Sequence, residues 1–562
     1  MISSRIRRHA VLLPSLALAF AAPGLAAQAA ATDAAVRSID SLMAAAYPAD
    51  GPGAAVVVAR GGEVLLRKGY GLASVELGVP ASPEHVFRIG SITKQFTAVA
   101  ILMLAEEGKL SLDDEITAFF PAWPTHGHRI TVEHLLTHTS GIRSYTSMPE
   151  LMGQQQRDVE LPALIAAFRD QPMDFAPGSD FRYNNSGYVL LGAIVERLSG
   201  QEYADFLRTR IFEPLGMRDT RYEGQELIPG RVPGHRVHAP GDVRPARYLS
   251  MTLPHAAGAL VSTVDDQLRW QRAIAEGRLL RPESWRRAFT AFRLEDGRSA
   301  GYGHGWFLGT AAGEGSVEHG GDINGFSSDG LWLPGAGLHV VVLSNAERSY
   351  ANPGTLTQGI AQRVLGTTGA APGATLSPAK LDEYVGVYEA SESERRIVTR
   401  DGETLYSVRG VAARQELRPL GEDRFVYPES GTRVTFTRGE DGRVDAMRLH
   451  PRIGPDQPPS RRLSDDPAAA AAAITAIELP AEVLDRYVGR YQLTPQVVVE
   501  VRREENGLVA QPTGQSPRPL IARSMVRFTV QGVDGAAVEF AADGSSLVFE
   551  QGSNRRTAPR IH

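Results

Sequence analysis

The sequence predicts an α/β domain followed by two small all-β domains. Apolar, strand-like segments stand at both ends of the region from Gly53 to Ser344 and helical patterns fill its middle, which is typical of one sheet built from both ends of a segment. Further on, residues 381–388 recur as residues 484–491, which indicates two copies of one unit. The length of 562 residues also exceeds that of one ordinary domain.

The α/β domain begins with a hairpin. Ala54–Arg60 and Glu63–Arg67 are strand-like runs, and the two glycines between them favour a two-residue turn. The later elements are predicted helices at Ser91–Glu107, Tyr188–Leu198 and Asp265–Glu276, and an apolar strand at Leu338–Ser344. The sheet therefore receives strands from the start and from the end of the domain.

The two all-β units are separated by linkers. Residues 366–377 and 454–473 are rich in glycine, proline and alanine, and each precedes one copy of the repeat. Hairpin turns are predicted in both copies at Asp401-Gly402, Asp441-Gly442, Asn506-Gly507 and Asp543-Gly544. Each copy is predicted to be a small antiparallel β barrel or sandwich. Its role is open: it either stabilises the α/β domain or takes a direct part in function.

The first thirty residues have the pattern of an export signal. Three arginines, at positions 5, 7 and 8, precede the apolar run Ala10–Ala22 and a stretch of small residues. The apolar run is too short for a membrane-spanning helix. We therefore expect an exported protein, periplasmic or secreted, without a stable membrane anchor. The predicted boundaries are residues 1–30 for the leader, 31–370 for the α/β domain, 376–462 for the first repeat and 478–562 for the second.

Composition excludes several classes of function. The net charge of −5 provides no basic surplus for nucleic acid. Cysteine is absent, which excludes disulfides, thiolate catalysis and a lipidated N-terminal cysteine. We expect a small-molecule or short-peptide partner and no cofactor.

Ser91 and Lys94 form the first candidate pair for chemistry. Residues three apart lie on one face of a helix, so the Ser91 hydroxyl and the Lys94 amine can meet at its N-terminus, where free N–H groups favour developing negative charge. Only four of the 59 lysine and arginine residues are lysine, and an amine, unlike a guanidinium, can act as a base. The same spacing recurs at Ser377 and Lys380, but there Pro378 indicates a helix cap.

Two further motifs carry polar side chains. Tyr183 and Asn185 lie two apart in a predicted loop; the phenol can act as phenolate or carry a proton, and the amide can orient the lysine or hold a substrate carbonyl. His319, Gly321 and Asp322 precede a strand, where glycine would let a substrate backbone lie along a sheet edge. Alone, the motif of Tyr183 and Asn185 is equally compatible with a turn or a helix cap, and the motif of His319 and Gly321 is better explained as a glycine turn between strands.

Together, in this order, the three motifs resemble those of the serine β-lactamase and penicillin-binding-protein superfamily. Supporting phrases also look like that family: Leu135–Ile142, Ala257–Thr263 and Tyr302–Trp306. The resemblance spans roughly residues 34–365 and implies a β-lactamase-like domain with an antiparallel sheet flanked by helices. It further implies an acyl-enzyme on Ser91, proton transfer by Lys94 and Tyr183, and an oxyanion hole made by the backbone N–H groups of Ser91 and Asp322.

The third motif departs from the lysine-threonine-glycine form of that superfamily because His319 replaces the lysine. Loss of the permanent cation weakens the grip on a substrate carboxylate, so efficient β-lactam hydrolysis is not expected. The histidine and the two repeats resemble the D-aminopeptidase branch, which implies a peptidase or amidase acting on small peptides with D-amino acids. If that branch is a guide, a loop between Tyr491 and His562 borders the cleft.

Two alternative functions are compatible with parts of the sequence. An esterase or weak β-lactamase would use the same acylation chemistry, whereas a penicillin-binding-like sensor or scaffold would only bind ligand. The retention of Ser91, Lys94 and Tyr183 disfavours the sensor or scaffold.

Four histidines, at 126, 128, 134 and 138, suggest a metal site, but no glutamate follows His134 as a zincin motif requires, so no metal site is expected. The Gly-x-Ser-x-Gly pentad of α/β-hydrolases does not occur.

Overall fold

The computed structural model describes residues 23–561, apart from short internal gaps. The gaps are at residues 240, 348–349, 368–373, 392–393, 410–413, 429, 467–478, 495–496, 505–506, 514, 532, 534–535 and 552–553. Most of the predicted leader, parts of both predicted linkers and Asn506 of one predicted turn lie outside the described residues.

The N-terminal domain is built on a six-stranded antiparallel sheet, as predicted for an α/β fold. The strands of the domain are β1 (Ala54–Arg60), β2 (Glu63–Tyr70), β3 (Leu72–Ser74), β4 (Val79–Pro80), β5 (Phe87–Arg88), β6 (Arg221–Tyr222), β7 (His235–Ala239), β8 (Asp242–Pro245), β9 (Leu260–Ser262), β10 (Phe307–Ala311), β11 (Glu314–Ile323), β12 (Phe326–Leu333) and β13 (Leu338–Ser344). The large sheet has the order β10-β11-β12-β13-β1-β2. Because β13 pairs with β1, the sheet joins the two ends of the domain, as the sequence indicated.

Helices cover both faces of this sheet. They are α1 (Pro23–Ala46), α2 (Thr93–Glu106), α3 (Val132–Leu136), α4 (Pro149–Met152), α5 (Leu161–Arg169), α6 (Asn185–Ser199), α7 (Tyr203–Leu207), α8 (Glu213–Leu215), α9 (His255–Gly258), α10 (Val264–Ala275), α11 (Pro282–Ala288) and α12 (Pro353–Leu365). The three predicted helices correspond to α2, α6 and α10. A 3₁₀ turn, Gly90–Ile92, leads into α2, so the predicted start at Ser91 falls in this turn.

Strand β1 explains why the domain has two cores. Its residues alternate between faces: Val57 packs among the large set of helices that includes α2 and α6, and Val56 packs against α1 and α12 on the other face. A strand covered on both faces reads as a continuous apolar run, which is the pattern of residues 54–59. The sheet is therefore a buried platform, with α10 against one face and α1 and α12 against the other.

Helix α1 begins within the stretch that the sequence predicted as leader. It runs from Pro23, and Ile39 and Met43 near its C-terminal end are buried against the sheet. Among the described residues, no helix combines the length and hydrophobicity needed to cross a bilayer.

The two repeats are closed eight-stranded antiparallel barrels, which confirms the barrel alternative. The first follows helix α13 (Pro378–Asp382) and contains β14 (Gly386–Ser391), β15 (Glu394–Asp401), β16 (Thr404–Arg409), β17 (Gln415–Gly421), β18 (Arg424–Val426), β19 (Arg433–Arg438), β20 (Val444–His450) and β21 (Ser460–Ser464). The second follows helix α14 (Ala481–Tyr487) and contains β22 (Gly489–Thr494), β23 (Val497–Glu504), β24 (Gly507–Pro512), β25 (Arg518–Ala522), β26 (Arg527–Val530), β27 (Ala536–Phe540), β28 (Ser546–Gln551) and β29 (Asn554–Ile561).

Repeated tyrosines hold the entry to each barrel in the same way. The Tyr388 hydroxyl donates to the Tyr384 carbonyl at 2.8 Å, and at the equivalent place the Tyr491 hydroxyl donates to the Tyr487 carbonyl at 2.9 Å. Both pairs belong to the sequence repeat, and all four rings are buried in their barrel cores. The internal repeat thus preserves both the packing and a specific hydrogen bond.

Candidate active site

Helix α2 positions the serine and the lysine of the first motif. The Lys94 Nζ lies 3.1 Å from the Ser91 Oγ, one helical turn away, as the spacing predicted. Every residue of α2 from Thr93 to Leu104 is buried, because other helices, including α6, α9 and α10, pack around it. The second copy of the spacing behaves differently: the Ser377 Oγ accepts from the Lys380 N–H and caps α13, which confirms the predicted helix cap.

The Lys94 amine is buried but fully provided with acceptors. Its exposed fraction is 0%, and besides Ser91 it donates to the Asn185 Oδ1 at 2.8 Å and to the Ala257 carbonyl at 2.7 Å. Burial disfavours the charged ammonium, so the pKa of Lys94 lies well below its ordinary value. A neutral amine beside a serine hydroxyl is a suitable general base.

Tyr183 joins this pair. Its ring centre lies 4.8 Å from the Lys94 Nζ, and its hydroxyl lies near Ser91. Burial raises the pKa of Tyr183, and the nearby charge of Asp322 raises it further. Of the two states that the sequence allowed, the structure therefore favours the neutral phenol, which can donate a proton, over a resting phenolate.

Asn184 and Asn185 have different roles at the start of α6. The Asn184 Oδ1 accepts from the Gly187 N–H at 3.0 Å and caps the helix, so Asn185 is its first residue and not a loop residue as predicted. The Asn185 side chain donates to the Thr146 Oγ1 at 3.2 Å, which turns its carbonyl oxygen towards Lys94. One amide thus orients the lysine, as the sequence suggested.

Strand β11 brings the third motif against Ser91. A Cβ on Gly321 would lie 1.9 Å from the Ile89 carbonyl oxygen, and one on Gly90 would lie 3.1 Å from the Asp322 nitrogen. No side chain fits at Gly321, so the strand backbone can approach the turn before α2. Strand β10 pairs with β11 only as far as Glu318, which leaves residues 319–323 without a neighbouring strand on that side. This short segment is therefore the sheet edge along which the sequence predicted that a substrate backbone could lie.

His319 lies behind Tyr183. Its exposed fraction is 1%, its Nδ1–H donates to the Gly320 carbonyl at 2.6 Å, and its Nε2 is 2.9 Å from the Tyr302 hydroxyl. The Tyr183 hydroxyl is 3.5 Å from the same Nε2. The histidine that replaces the expected lysine is thus engaged by two tyrosines and deeply buried.

Sequence reasoning did not assign several groups of the site. The Ala257 carbonyl binds Lys94, Tyr302 binds His319, and His138 accepts from the Asn184 N–H at 3.0 Å while its ring packs 4.3 Å from that of Tyr183. All three residues belong to the supporting phrases noted in the sequence. The sequence therefore marked these residues as part of a family-like pattern, but it did not indicate what each of them does.

The cleft beside Ser91 has a volume of about 130 Å³. Its lining residues are Gly90, Ser91, Tyr145, Thr146, Met152, Asn185, Leu249, Leu253, Pro254, Ala257, Gly258, Asp322, Ile323 and Asn324. Among these, Asp322 alone carries a charge at neutral pH. All come from the N-terminal domain, so the loop from the second repeat that the resemblance implied is not among the described lining residues.

A larger cavity, of about 340 Å³, lies away from Ser91, between His134 and Phe292. It contains two of the four clustered histidines, but the His134 Nδ1 accepts from the Thr131 N–H in a capping box. Across the described ranges, no group of three or more histidine, aspartate or glutamate side chains is arranged to hold a metal ion.

Comparison with known proteins identifies the family. Residues 39–364 match the family model described as Beta-lactamase, which is more than half of the chain, and the protein belongs to this family. Residues 370–461 match a domain of unknown function, DUF3471. The predicted resemblance to the β-lactamase and penicillin-binding-protein superfamily is confirmed.

The relatives include several kinds of enzyme. Penicillin-binding protein 4* of Bacillus subtilis (strain 168) is 28% identical over 411 residues, covering 69% of this chain and 90% of its own. A D-aminopeptidase of Gluconobacter oxydans (strain 621H) is 29% identical over 413 residues, covering 72% of each chain. The solved structure of D-amino acid amidase from Ochrobactrum anthropi SV3, complexed with L-phenylalanine amide, is 27% identical with a TM-score of 0.51 and covers 60% of this chain and 97% of that one. The protein is a serine hydrolase of this family.

The close approach at Gly321 can be tested by adding one methyl group. Gly321→Ala should push β11 away from Ile89 and lower kcat/KM by about a hundredfold, since a displacement of roughly 1 Å at a reacting centre has that effect. Gly315→Ala is the matched control, because it lies in the same strand with open space around its Cβ. Equal kcat/KM values for the two variants would contradict this interpretation.

Proposed function

We propose that this protein is an exported serine hydrolase that cleaves amide bonds of small peptides containing D-amino acids through an acyl-enzyme. The observation that carries the proposal is the buried Lys94 amine, which lies 3.1 Å from the Ser91 hydroxyl and 4.8 Å from the centre of the Tyr183 ring. Export rests on the N-terminal sequence pattern alone. The D-peptide preference rests on the kinds of relatives described above, and the cleft bears only on the charge of the substrate.

The acylation step assigns a role to each group. The Ser91 oxygen forms a bond to the substrate carbonyl carbon, and the hydroxyl proton passes to the neutral Lys94 amine. Tyr183 donates its hydroxyl proton to the leaving nitrogen as the carbon–nitrogen bond breaks, and it takes up in turn the proton held by Lys94. In the second half, water attacks the acyl carbon and gives a proton to the Lys94 amine. The bond between the Ser91 oxygen and the acyl carbon then breaks, the proton returns to that oxygen, and the product acid leaves.

The remaining site residues stabilise and orient. The backbone N–H groups of Ser91 and Asp322 form the proposed oxyanion hole, which the close approach at Gly321 makes possible. Asn185 orients Lys94 and offers its amide to a substrate carbonyl. His319 supports Tyr183 from behind, through Nε2.

The charge of the cleft supports a substrate with a free amine. Apolar residues such as Met152, Leu249 and Leu253 form part of its wall, and its one acidic or basic lining residue is Asp322. A carboxylate attracts an ammonium group and repels the carboxylate of a β-lactam. The D-aminopeptidase and the D-amino acid amidase among the similar proteins agree with this preference by their names.

The protonation state of Lys94 sets the expected pH dependence. The neutral amine is the active form, and it is lost as pH falls through the pKa of Lys94. Because burial lowers that pKa, the acid limb of kcat/KM should lie well below the ordinary lysine range. Lys94→Met keeps most of the side-chain volume but removes the base, and should lower kcat by roughly 10²–10⁴-fold. An active Lys94→Met variant would rule out the base assignment.

A substrate panel tests the proposed specificity. D-Alanine p-nitroanilide should be hydrolysed faster than its L-isomer and faster than nitrocefin, with Ser91→Ala as the blank.

Asp322→Asn keeps the backbone N–H and removes the charge, so KM for D-alanine p-nitroanilide should rise about tenfold, which corresponds to the loss of a charge-assisted hydrogen bond. KM for p-nitrophenyl acetate, which has no amine, should not change. Turnover of esters without amides would instead favour the esterase alternative.

A further inference from the structure

The first barrel touches the N-terminal domain through the loop between β20 and β21. The Asp456 N–H donates to the Ser299 carbonyl at 3.1 Å, and the Arg298 guanidinium donates to the Asp456 carbonyl at 3.4 Å. Two glycines of the N-terminal domain make the contact possible. A Cβ on Gly301 would lie 2.0 Å from the Gly454 carbonyl oxygen, and one on Gly309 would lie 2.0 Å from the Arg452 carbonyl oxygen. The two backbones are therefore in direct contact.

Arg452 of this loop forms a buried ion pair with Glu318. The two guanidinium nitrogens lie 2.6 and 2.9 Å from the two carboxylate oxygens, and the side chains are 11% and 2% exposed. The Ser316 hydroxyl donates to the same carboxylate at 2.7 Å. Among the described residues, Arg452 is the one cation in contact with Glu318. A buried carboxylate that loses its only cation is strongly destabilised, so the N-terminal domain carries at this point a charge that the barrel neutralises.

The ion pair adjoins the candidate site. Glu318 directly precedes His319 in β11. Phe307 of β10 pairs with Glu318, and its ring stacks on that of Tyr183 with the ring centres 6.1 Å apart. Gly301, held against the barrel loop, precedes Tyr302, which binds His319 at 2.9 Å. Both contacts of the loop thus lie one residue away from groups that surround Tyr183.

We propose that Arg452 is a positioning residue for hydrolysis, so that the first barrel completes the active site. By binding Glu318, Arg452 fixes β11 in the position at which Gly321 and Asp322 lie against Ser91. The inference rests on the proposed acylation of Ser91, but not on the identity of the natural substrate. It gives the first barrel the direct role that the sequence left open, through a loop that does not itself enter the cleft.

Arg452→Met in the full-length chain tests the proposal. The assay is hydrolysis of p-nitrophenyl acetate, corrected by the Ser91→Ala blank. We expect kcat to fall by at least about tenfold with little change in KM, because a displaced oxyanion strand weakens transition-state binding more than substrate binding. Arg452→Lys, which keeps a cation at Glu318 but not the bidentate geometry, should recover part of the lost kcat.

A matched control separates positioning from stability of the barrel. Arg438 forms the same kind of bidentate pair with Asp423, entirely within the first barrel, so Arg438→Met should alter Tm without altering kcat. The double variant Glu318→Gln/Arg452→Met removes the unpaired charge as well as the tether; it should recover Tm while kcat stays low.

The outcomes are distinguishable. If the unmodified protein shows no Ser91-dependent turnover, the proposed function fails. If it turns over the ester and Arg452→Met matches its kcat, or if the double variant recovers kcat together with Tm, the positioning role of Arg452 is overturned.

Discussion

The burial of the Lys94 amine is the constraint on which the rest of the site depends. An ammonium group withdrawn from water is costly, so a buried lysine is retained with suitable acceptors or loses its proton. Here the acceptors come from three separate elements: Ser91 before α2, Asn185 at the start of α6, and the Ala257 carbonyl in α9. The packing of α2 against α6 and α9 therefore fixes both the proton affinity of the amine and its distance from the nucleophile.

A second constraint is the distance between β11 and the turn that carries Ser91. Gly321 leaves no side chain between that strand and the Ile89 carbonyl, so the backbone N–H groups of the two segments can serve one oxyanion. A strand that approaches so closely must be held from its other side. Strand β12 does so within the sheet, and the Arg452–Glu318 pair links the same strand to the first barrel. The arrangement gives a structural reason for joining the DUF3471 domain to this enzyme fold.

Much of the fold could be predicted from the sequence, because periodic apolar residues and turn pairs are local signals. The Ser91 and Lys94 pairing was likewise set by helical geometry, and Ser377 could be recognised as a cap from Pro378. The role of the Ala257 carbonyl as an acceptor for Lys94 could not be predicted, because a backbone acceptor has no side-chain signature. Asn185 was misplaced in a loop, since the cap at Asn184 extends α6 by a turn. Arg452 is one arginine among many, and its partner is defined only by the docking of two domains.

The central claim, that folding activates Ser91 and leaves the similarly spaced Ser377 inert, is tested most directly by locating a covalent adduct. The intact protein would be treated with a fluorophosphonate, digested and mapped by mass spectrometry. The account predicts one adduct, on the peptide that contains Ser91, because the Ser91 hydroxyl lies beside a buried amine whereas the Ser377 hydroxyl caps a helix. An adduct on the peptide containing Ser377, or a folded protein that takes up no label, would contradict it.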